Sequence, residues 1–406
     1  MASILVIGGS LGGLFAANLL LRAGHEVRLL EKAEGSLDGR GAGIVTHEAL
    51  VTALRAAGAV VDDTLGVPIT RRVVLARDGS VQASLDYPQV LTSWSRLYAL
   101  LRAALPAQHT LPGHEVQAVS QSSSGVQVRC TNGVELSADL LVASDGIRST
   151  VRAAVAPQVQ PVYSGYMAWR GVCDEAVLSG LTRRTLFETF GFGLPEGEQM
   201  LGYPVAGAGN ATRPGQRRYN FVWYRPAREH DELRALLTDA DGVHHPLGIP
   251  PHQVHWREVA RMREAARTLL APQWAEVAEK TAQPFLQPIF DVLSERLAFG
   301  RIALMGDAAF VARPHVGMGV AKAGDDAMAL VRALAAHGAT PAALQAYERE
   351  RQPEGQAAVE RARWLGTYIT ASGQSDAAQQ RPDVQTLLNE TAIDLGRARI
   401  APSPTA

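Results

Sequence analysis

Three carboxylates in this chain stand where a strand ends and a helix begins, the places at which an acid can bind a hydroxyl or a helix N-terminus an anion. Asp307 lies in Gly300–Ala327, GRIALMGDAAFVARPHVGMGVAKAGDDA, where a buried apolar run, Ile302 to Met305, stops at Gly306-Asp307. A loop broken by Pro314, Gly317 and Gly319 then feeds a helix, so a carboxylate and a helix N-terminus reach one spot. Glu31 closes a second station near the chain start, Ser3 to Arg28, SILVIGGSLGGLFAANLLLRAGHEVR, which reads as strand, glycine turn, helix and second strand. Asp145 is the third, in DLLVASDGIRSTVR, with Ser149 and Arg152 close behind. Two cofactor-type stations far apart in the chain predict one long ligand held at both ends.

The glycine turn is close to a dinucleotide fingerprint but departs from it. Glycine is expected at its first, third and sixth positions, and here these are Gly8, Ser10 and Gly13. Serine is small, and its hydroxyl can bond a phosphate whose charge rests on the N-terminus of the Leu14 to Ala23 helix. Glu31 is then placed to accept ribose hydroxyls.

The elements that must carry these stations follow from periodicity. Residues 1 to about 65 read as β-α-β, a glycine-rich loop over Gly39 to Gly43, and a helix from His47 to Ala57. Two strands flank Asp78-Gly79, a hairpin signal, and a helix follows at Ser95 to Ala104. Strands return at Glu115 to Gln121, Val126 to Cys130 and Leu136 to Ala143. From Tyr163 to Pro226 the chain alternates and is rich in aromatics, the pattern of a second, antiparallel sheet. Glu229 to Leu237, Trp256 to Leu269, Lys322 to His337, Pro341 to Gln352 and Glu354 to Tyr368 read as helices; Gly373 to Asp383 reads as a loop and Pro402 to Ala406 as a frayed end.

Composition excludes several function classes. At 406 residues the chain fits two domains, and its 47% hydrophobic and 19% charged content is that of a globular protein. A net charge of −1 without a long basic run argues against nucleic acid or anionic lipid as partner. Cys130 and Cys173 give neither a disulfide framework nor a metal-ligand spacing, so a reducing cytoplasm is expected and no metal. No apolar run approaches the roughly 20 residues of a membrane span, and Ile4 to Ile7, cut by Gly8-Gly9, reads as a strand rather than a leader.

The three stations, in this order over residues 1 to about 365, resemble the class A aromatic flavoprotein monooxygenases, the p-hydroxybenzoate hydroxylase-like family. Within it the chain looks similar to the dihydroxypyridine hydroxylase branch, through its GGS opening, Trp169-Arg170-Gly171, and the run from Arg313-Pro314-His315 to Ala327. The resemblance implies an α/β fold: a Rossmann-like FAD-binding domain (1–70, 96–160 and 288–340), an inserted, mainly antiparallel β-sheet substrate domain (71–95 and 161–287), and C-terminal helices and tail (341–406). It implies FAD, NADH or NADPH as reductant, and molecular oxygen. Gly8, Ser10, Leu11, Gly12 and Gly13 would wrap the pyrophosphate. Glu31 and Lys32 would meet the adenosine side, Arg40, Gly43 and Ile44 the ribityl or pyrophosphate, and Asp307 the ribityl chain. Gly317, Gly319, Val320 and Ala321 would lie against the flavin pyrimidine, and Asp145 with Arg152 near flavin and nicotinamide. Two positions depart from the family: Ala321 stands where many members have Asn, and Trp94 where many have an Arg, with Arg96 displaced by two.

In that family a flavin C4a-hydroperoxide passes oxygen to an electron-rich ring, usually activated by loss of a hydroxyl proton. A proton acceptor, a flat slot and exclusion of water are therefore expected. His315, between Gly306-Asp307 and Gly317, is the first choice of acceptor and His47 the second. Flat walls are expected from Tyr203, Phe221 and Trp223, with Pro314. Strand alternation sets Tyr219, Phe221 and Trp223 on one face and Asn220, Val222 and Tyr224 on the other, and leaves open which faces the flavin. Arg170 would either bind an acidic substrate or be paired structurally, the latter being the favoured role. The expected activity is hydroxylation of a small hydroxylated aromatic or N-heteroaromatic ring. A flavin oxidase or dehydrogenase without oxygen insertion, and a flavin-dependent regulator, are the alternatives. Expected partners are the small aromatic substrate and a second copy of the chain.

Overall fold

Short apolar runs form the first sheet because helices cover both of its faces. In the computed structural model, which describes residues 1–37, 43–246, 248–370 and 381–393, strand Ser3–Ile7 lies at its centre. It pairs in parallel with Leu140–Ala143 on one side, Ile4 opposite Leu140, and with Glu26–Glu31 on the other. Ile302–Leu304 extends the sheet in parallel beyond Leu140–Ala143, and Ala298–Phe299 and Thr110–Pro112 form its edges. Both cofactor-type stations therefore open at the same, carboxyl end of one parallel sheet, where doubly wound folds bind ligands.

The second sheet has nine strands, in the order Phe310–Val311, Phe285–Leu293, Val162–Asp174, Arg218–Pro226, Gln199–Val205, Thr189–Gly193, Val67–Leu75, Val81–Ser93 and Gly43–Val45. Helices Trp256–Leu269 and Pro272–Lys280 cover one face, Trp274 of the second packing in one core with Phe221 and Trp223 of the sheet. The other face carries Tyr203, Val222 and Tyr224 toward the helical C-terminal part of the chain. A three-stranded meander, Val116–Gln121, Val126–Cys130 and Glu135–Ala138, completes the strands described.

The hairpin at Asp78-Gly79 forms as expected: Ser80 donates to the Asp78 carboxylate and Gly79 takes a positive φ of 89°. The expected domain edges shift, however, since the nine-stranded sheet takes Gly43–Val45 from within 1–70 and carries Phe285–Leu293 past 288. Glu229 to Leu237 is helical as expected, a π-helical turn over Glu229–Leu233 continued by one α-helical turn, Arg234–Leu236. The two helices expected around Pro353 are one, Pro341–Thr370, running through the proline. A helix tolerates the lost hydrogen bond when it is anchored elsewhere, and here Gly355 lies so close to Phe310 that a Cβ would come within 2.2 Å of the ring. Helices Pro272–Lys280 and Val384–Glu390 were not anticipated. Arg40, the end at Pro402 to Ala406 and most of the loop at Gly373 to Asp383 lie outside the described residues. No described helix is long and apolar enough to cross a membrane.

Candidate active site

The turn at Gly8 is built for close approach. Gly8 has φ 102°, and a Cβ there would lie 2.4 Å from the Ser144 carbonyl oxygen, so only glycine fits beside the neighbouring strand end. Helix Leu11–Arg22 starts at Ser10, whose side chain makes no cap hydrogen bond, so the first N–H groups are left for an anion. Gly13 seats the helix on the Gly8 carbonyl. Glu31 accepts from Gly9 N at 2.7 Å and Ala33 N at 2.8 Å and lines a cavity of about 490 Å³ with Tyr98 and Arg102. Lys32 is exposed and lines neither this cavity nor the one that holds Asp307.

A second cavity, about 350 Å³, brings the two stations to one wall: Ser10, Leu11, Gly12, Asp307, Gly317, Gly319 and Val320 all line it, joined by Gly43 and Ile44. Asp307 lies deep in the molecule, yet its carboxylate opens on the cavity; burial raises its pKa, and the Lys322 charge opposes the rise. The turn before it is gripped by the following helix. Asp326 accepts from Gly306 N at 3.0 Å, Lys322 donates to Gly306 O at 2.9 Å, and Arg351 holds Asp326 at 2.9 Å. Helix Gly319–His337 likewise begins without a side-chain cap. An open acid between two uncapped helix starts is a donor and acceptor set that fits FAD, with hydroxyls for Asp307 and negative charge for the N–H groups.

Opposite this cradle stands the second sheet. Phe190, Leu201, Tyr203, Val222 and Tyr224 line the cavity, as do Pro314 and Trp94. The alternation of Arg218–Pro226 is thereby resolved. Phe221 and Trp223, expected at the substrate, instead face the helices in a separate core, because that face must bury against Trp274. Asn220 accepts from Gly43 N at 3.1 Å and ties the first strand of the cradle to the sheet. Trp94 stacks on Tyr98, while Arg96 turns away to Thr64 at 2.7 Å. Ala321 is buried and does not line the cavity.

The two histidines are not at the ring-binding wall. Pro314–Val316 is a 3-10 turn, in which successive side chains point about 120° apart, so Pro314 lines the cavity and His315 is directed behind it. His315 is wholly buried, with Nε2 at 2.7 Å from Tyr166 Oη and its ring 4.5 Å from that of Tyr224. Burial, aided by the Arg313 charge, lowers its pKa to about 3, so it is neutral across the physiological range. His47 binds Gly317 O through Nε2 at 3.0 Å and holds that loop against the cradle strand. Asp145 caps helix Thr150–Val155 by accepting from Val151 N at 3.3 Å, and burial raises its pKa. Arg152 is a buried clamp on the Val159, Ala308 and Ile147 carbonyls.

Two wall residues come from helix Val384–Glu390 and its end, an element whose packing partners lie far back in the chain. Thr391 and Ala392 line the cavity. Arg72, itself fully buried, donates to the carbonyls of Leu388 at 3.2 Å, Thr391 at 2.5 Å and Ala392 at 2.9 Å. Ala392 N donates to His315 O at 2.8 Å. His315 thus anchors the wall that it was expected to face.

With the geometry in place, relatives can be compared. Residues 163–291 match a family profile described as FAD binding domain-like. The chain is 28% identical over 370 residues, 91% of its length and 92% of the relative's, to 2,6-dihydroxypyridine 3-monooxygenase of Paenarthrobacter nicotinovorans. Its fold superposes on the 2,6-dihydroxypyridine-3-hydroxylase of Arthrobacter nicotinovorans with a TM-score of 0.87 at 27% identity, covering 95% of this chain and 96% of that one. In sequence and in fold the chain resembles the FAD-dependent aromatic monooxygenases. A further relative, the FAD-dependent urate hydroxylase of Klebsiella pneumoniae, is 27% identical over 369 residues, covering 86% of this chain and 85% of that one. In this chain the cradle and the aromatic sheet face each other over a single cavity.

Proposed function

We propose that this FAD-dependent monooxygenase hydroxylates a small hydroxylated pyridine or a closely similar ring in the cavity between Asp307 and Tyr224. The observation that supports this most directly is the shared wall: the groups suited to FAD and the flat slot of Phe190, Tyr203 and Tyr224 line one cavity of about 350 Å³, a volume that suits a single small ring beside a flavin. Likeness to dihydroxypyridine hydroxylases adds the pyridine preference. FAD, when bound, accepts electrons from NADH or NADPH and activates oxygen, one atom of which enters the ring.

The chain's own residues do the rest. Asp307 and the N–H groups at Gly12 and Gly319 hold and orient the cofactor. Leu201, Val222 and Ile289 exclude water from the reacting ring. His47 and His315 fix the loop Pro314 to Gly317 and the Thr391 wall, and so position the ring without exchanging protons with it. The two cysteines, both buried and unbonded, agree with action in a reducing cytoplasm.

Turnover of a dihydroxypyridine in air with NADH or NADPH, in the presence of labelled oxygen, tests the reading. A hydroxylated product carrying one labelled atom is expected; stoichiometric peroxide with an unhydroxylated product would establish an oxidase instead.

A further inference from the structure

Arg170 is a cation in the cavity wall without an anion. It lies in strand Val162–Asp174 opposite Val222 and is half-buried beside Gln287. Its one hydrogen bond is to the neutral Gln287 Oε1, at 2.7 Å, and its buried Nε has no partner among the described residues. No described carboxylate approaches within ion-pair distance, so the structural pairing expected from sequence is not made. A guanidinium left in this state is costly unless a ligand completes it.

The other charged groups of the wall do not fill the gap. Arg313 is neutralised by Asp291, with contacts of 2.9 to 3.2 Å. Asp307 belongs to the cradle, beside Lys322. The Tyr203 and Tyr224 hydroxyls, both raised by burial and both pulled back by the Arg170 charge, stay protonated and have no protein partner among the described residues. Behind Tyr224 lies only the neutral Tyr166–His315 pair. A cation and two hydroxyl donors thus converge on one part of the cavity, and no general base faces it.

We propose that Arg170 receives an ionised ring oxygen of the substrate, so that the ring enters the cavity already deprotonated. The ring O–H bond breaks in bulk water, the proton goes to solvent, and the electron pair stays on the oxygen that meets the guanidinium. Charge attraction in a poorly solvated site does what a histidine base was expected to do. The inference rests on the ring-hydroxylase reading and adds the ionisation state of the substrate and the residue that selects it.

The test uses FAD-loaded protein and 4-nitrophenol, whose visible band reports its ionisation, with 4-nitroanisole as the neutral counterpart. In difference spectra across pH, the bound phenol should ionise at least one pH unit below the free phenol, and nitroanisole should compete at least tenfold more weakly. Arg170→Met should remove both effects while keeping bound FAD and the thermal midpoint, and Arg170→Lys should restore part of the shift. Equal ionisation in wild type and Arg170→Met, or equal binding of the two probes, overturns the assignment. Failure of both probes to enter the wild-type cavity at any pH overturns the ring-binding reading beneath it.

Discussion

Arg72 and Arg170 occupy the same nine-stranded sheet and neither has a carboxylate, yet they are used in opposite ways. Arg72 is fully enclosed: three carbonyls and Gln89 accept its hydrogen bonds, and the Tyr87 ring lies 4.3 Å away. Arg170 makes one bond and faces a cavity. The Nε of each lacks a partner among the described residues, but a guanidinium whose two terminal nitrogens are taken up by the protein is a clamp, and one with a terminal nitrogen left over at a cavity is a receptor. The same division separates the two faces of strand Arg218–Pro226, where Trp223 is core and Tyr224 is wall.

The largest effect expected from this contrast is on stability. Arg72→Met removes the arginine donor from the Leu388, Thr391 and Ala392 carbonyls, of which Ala392 keeps a bond from Gln89, and should cost about 3 kcal/mol or more in urea unfolding, with Thr391 and Ala392 becoming accessible to protease; an unchanged midpoint would mean that the clamp is not one. Next is the acid of the cradle: Asp307→Ala should weaken FAD binding tenfold or more while leaving the apoprotein's melting temperature within a few degrees. A yellow protein purified at full occupancy would show that Asp307 does not hold the cofactor.

The two faces of one strand give a paired measurement. Trp223→Leu should destabilise by about 2 to 3 kcal/mol through the cavity it leaves and move the KM for a ring substrate little. Tyr224→Phe should change stability by under about 1 kcal/mol and alter that KM severalfold, and a reversed pattern would assign the faces the other way. At neutral pH the smallest effect is that of His315, which shows only as acid sensitivity. The unfolded chain takes up a proton near its ordinary pKa of 6.5, and the folded chain refuses it until about 3, so stability should fall as pH drops through that window. His315→Gln should flatten this slope in thermal melts recorded against pH.

What could be read from the chain alone follows the range of the interactions involved. The stations at Gly8 and Asp307 were legible because strand, turn and helix start are neighbours in sequence, and their backbone requirements are local. The helix Trp256–Leu269 was legible for the same reason. Strand alternation named both faces of Arg218–Pro226 but not which was wall, since that depends on Trp274, some fifty residues on. His315 was misplaced because nearness to Gly317 in sequence carries no direction, and the tight turn at Pro314 sends the ring backward. Helix Val384–Glu390 was missed altogether: its seven residues carry too little periodicity, and its anchor is Arg72 at the other end of the chain.

Gly306 is held by its amide and its carbonyl at once, and both partners, Asp326 and Lys322, ride on the helix whose start faces the flavin side of the cavity. The acid and the helix start therefore behave as a single rigid jaw. Parting them to pass a cofactor as large as FAD would break both bonds at once, so the compliance is expected from the Thr391 wall, whose carbonyls are held chiefly by Arg72. Cofactor exchange and the grip of Arg72 should then share a rate, although more than two hundred residues separate Arg72 from Gly306 in the chain.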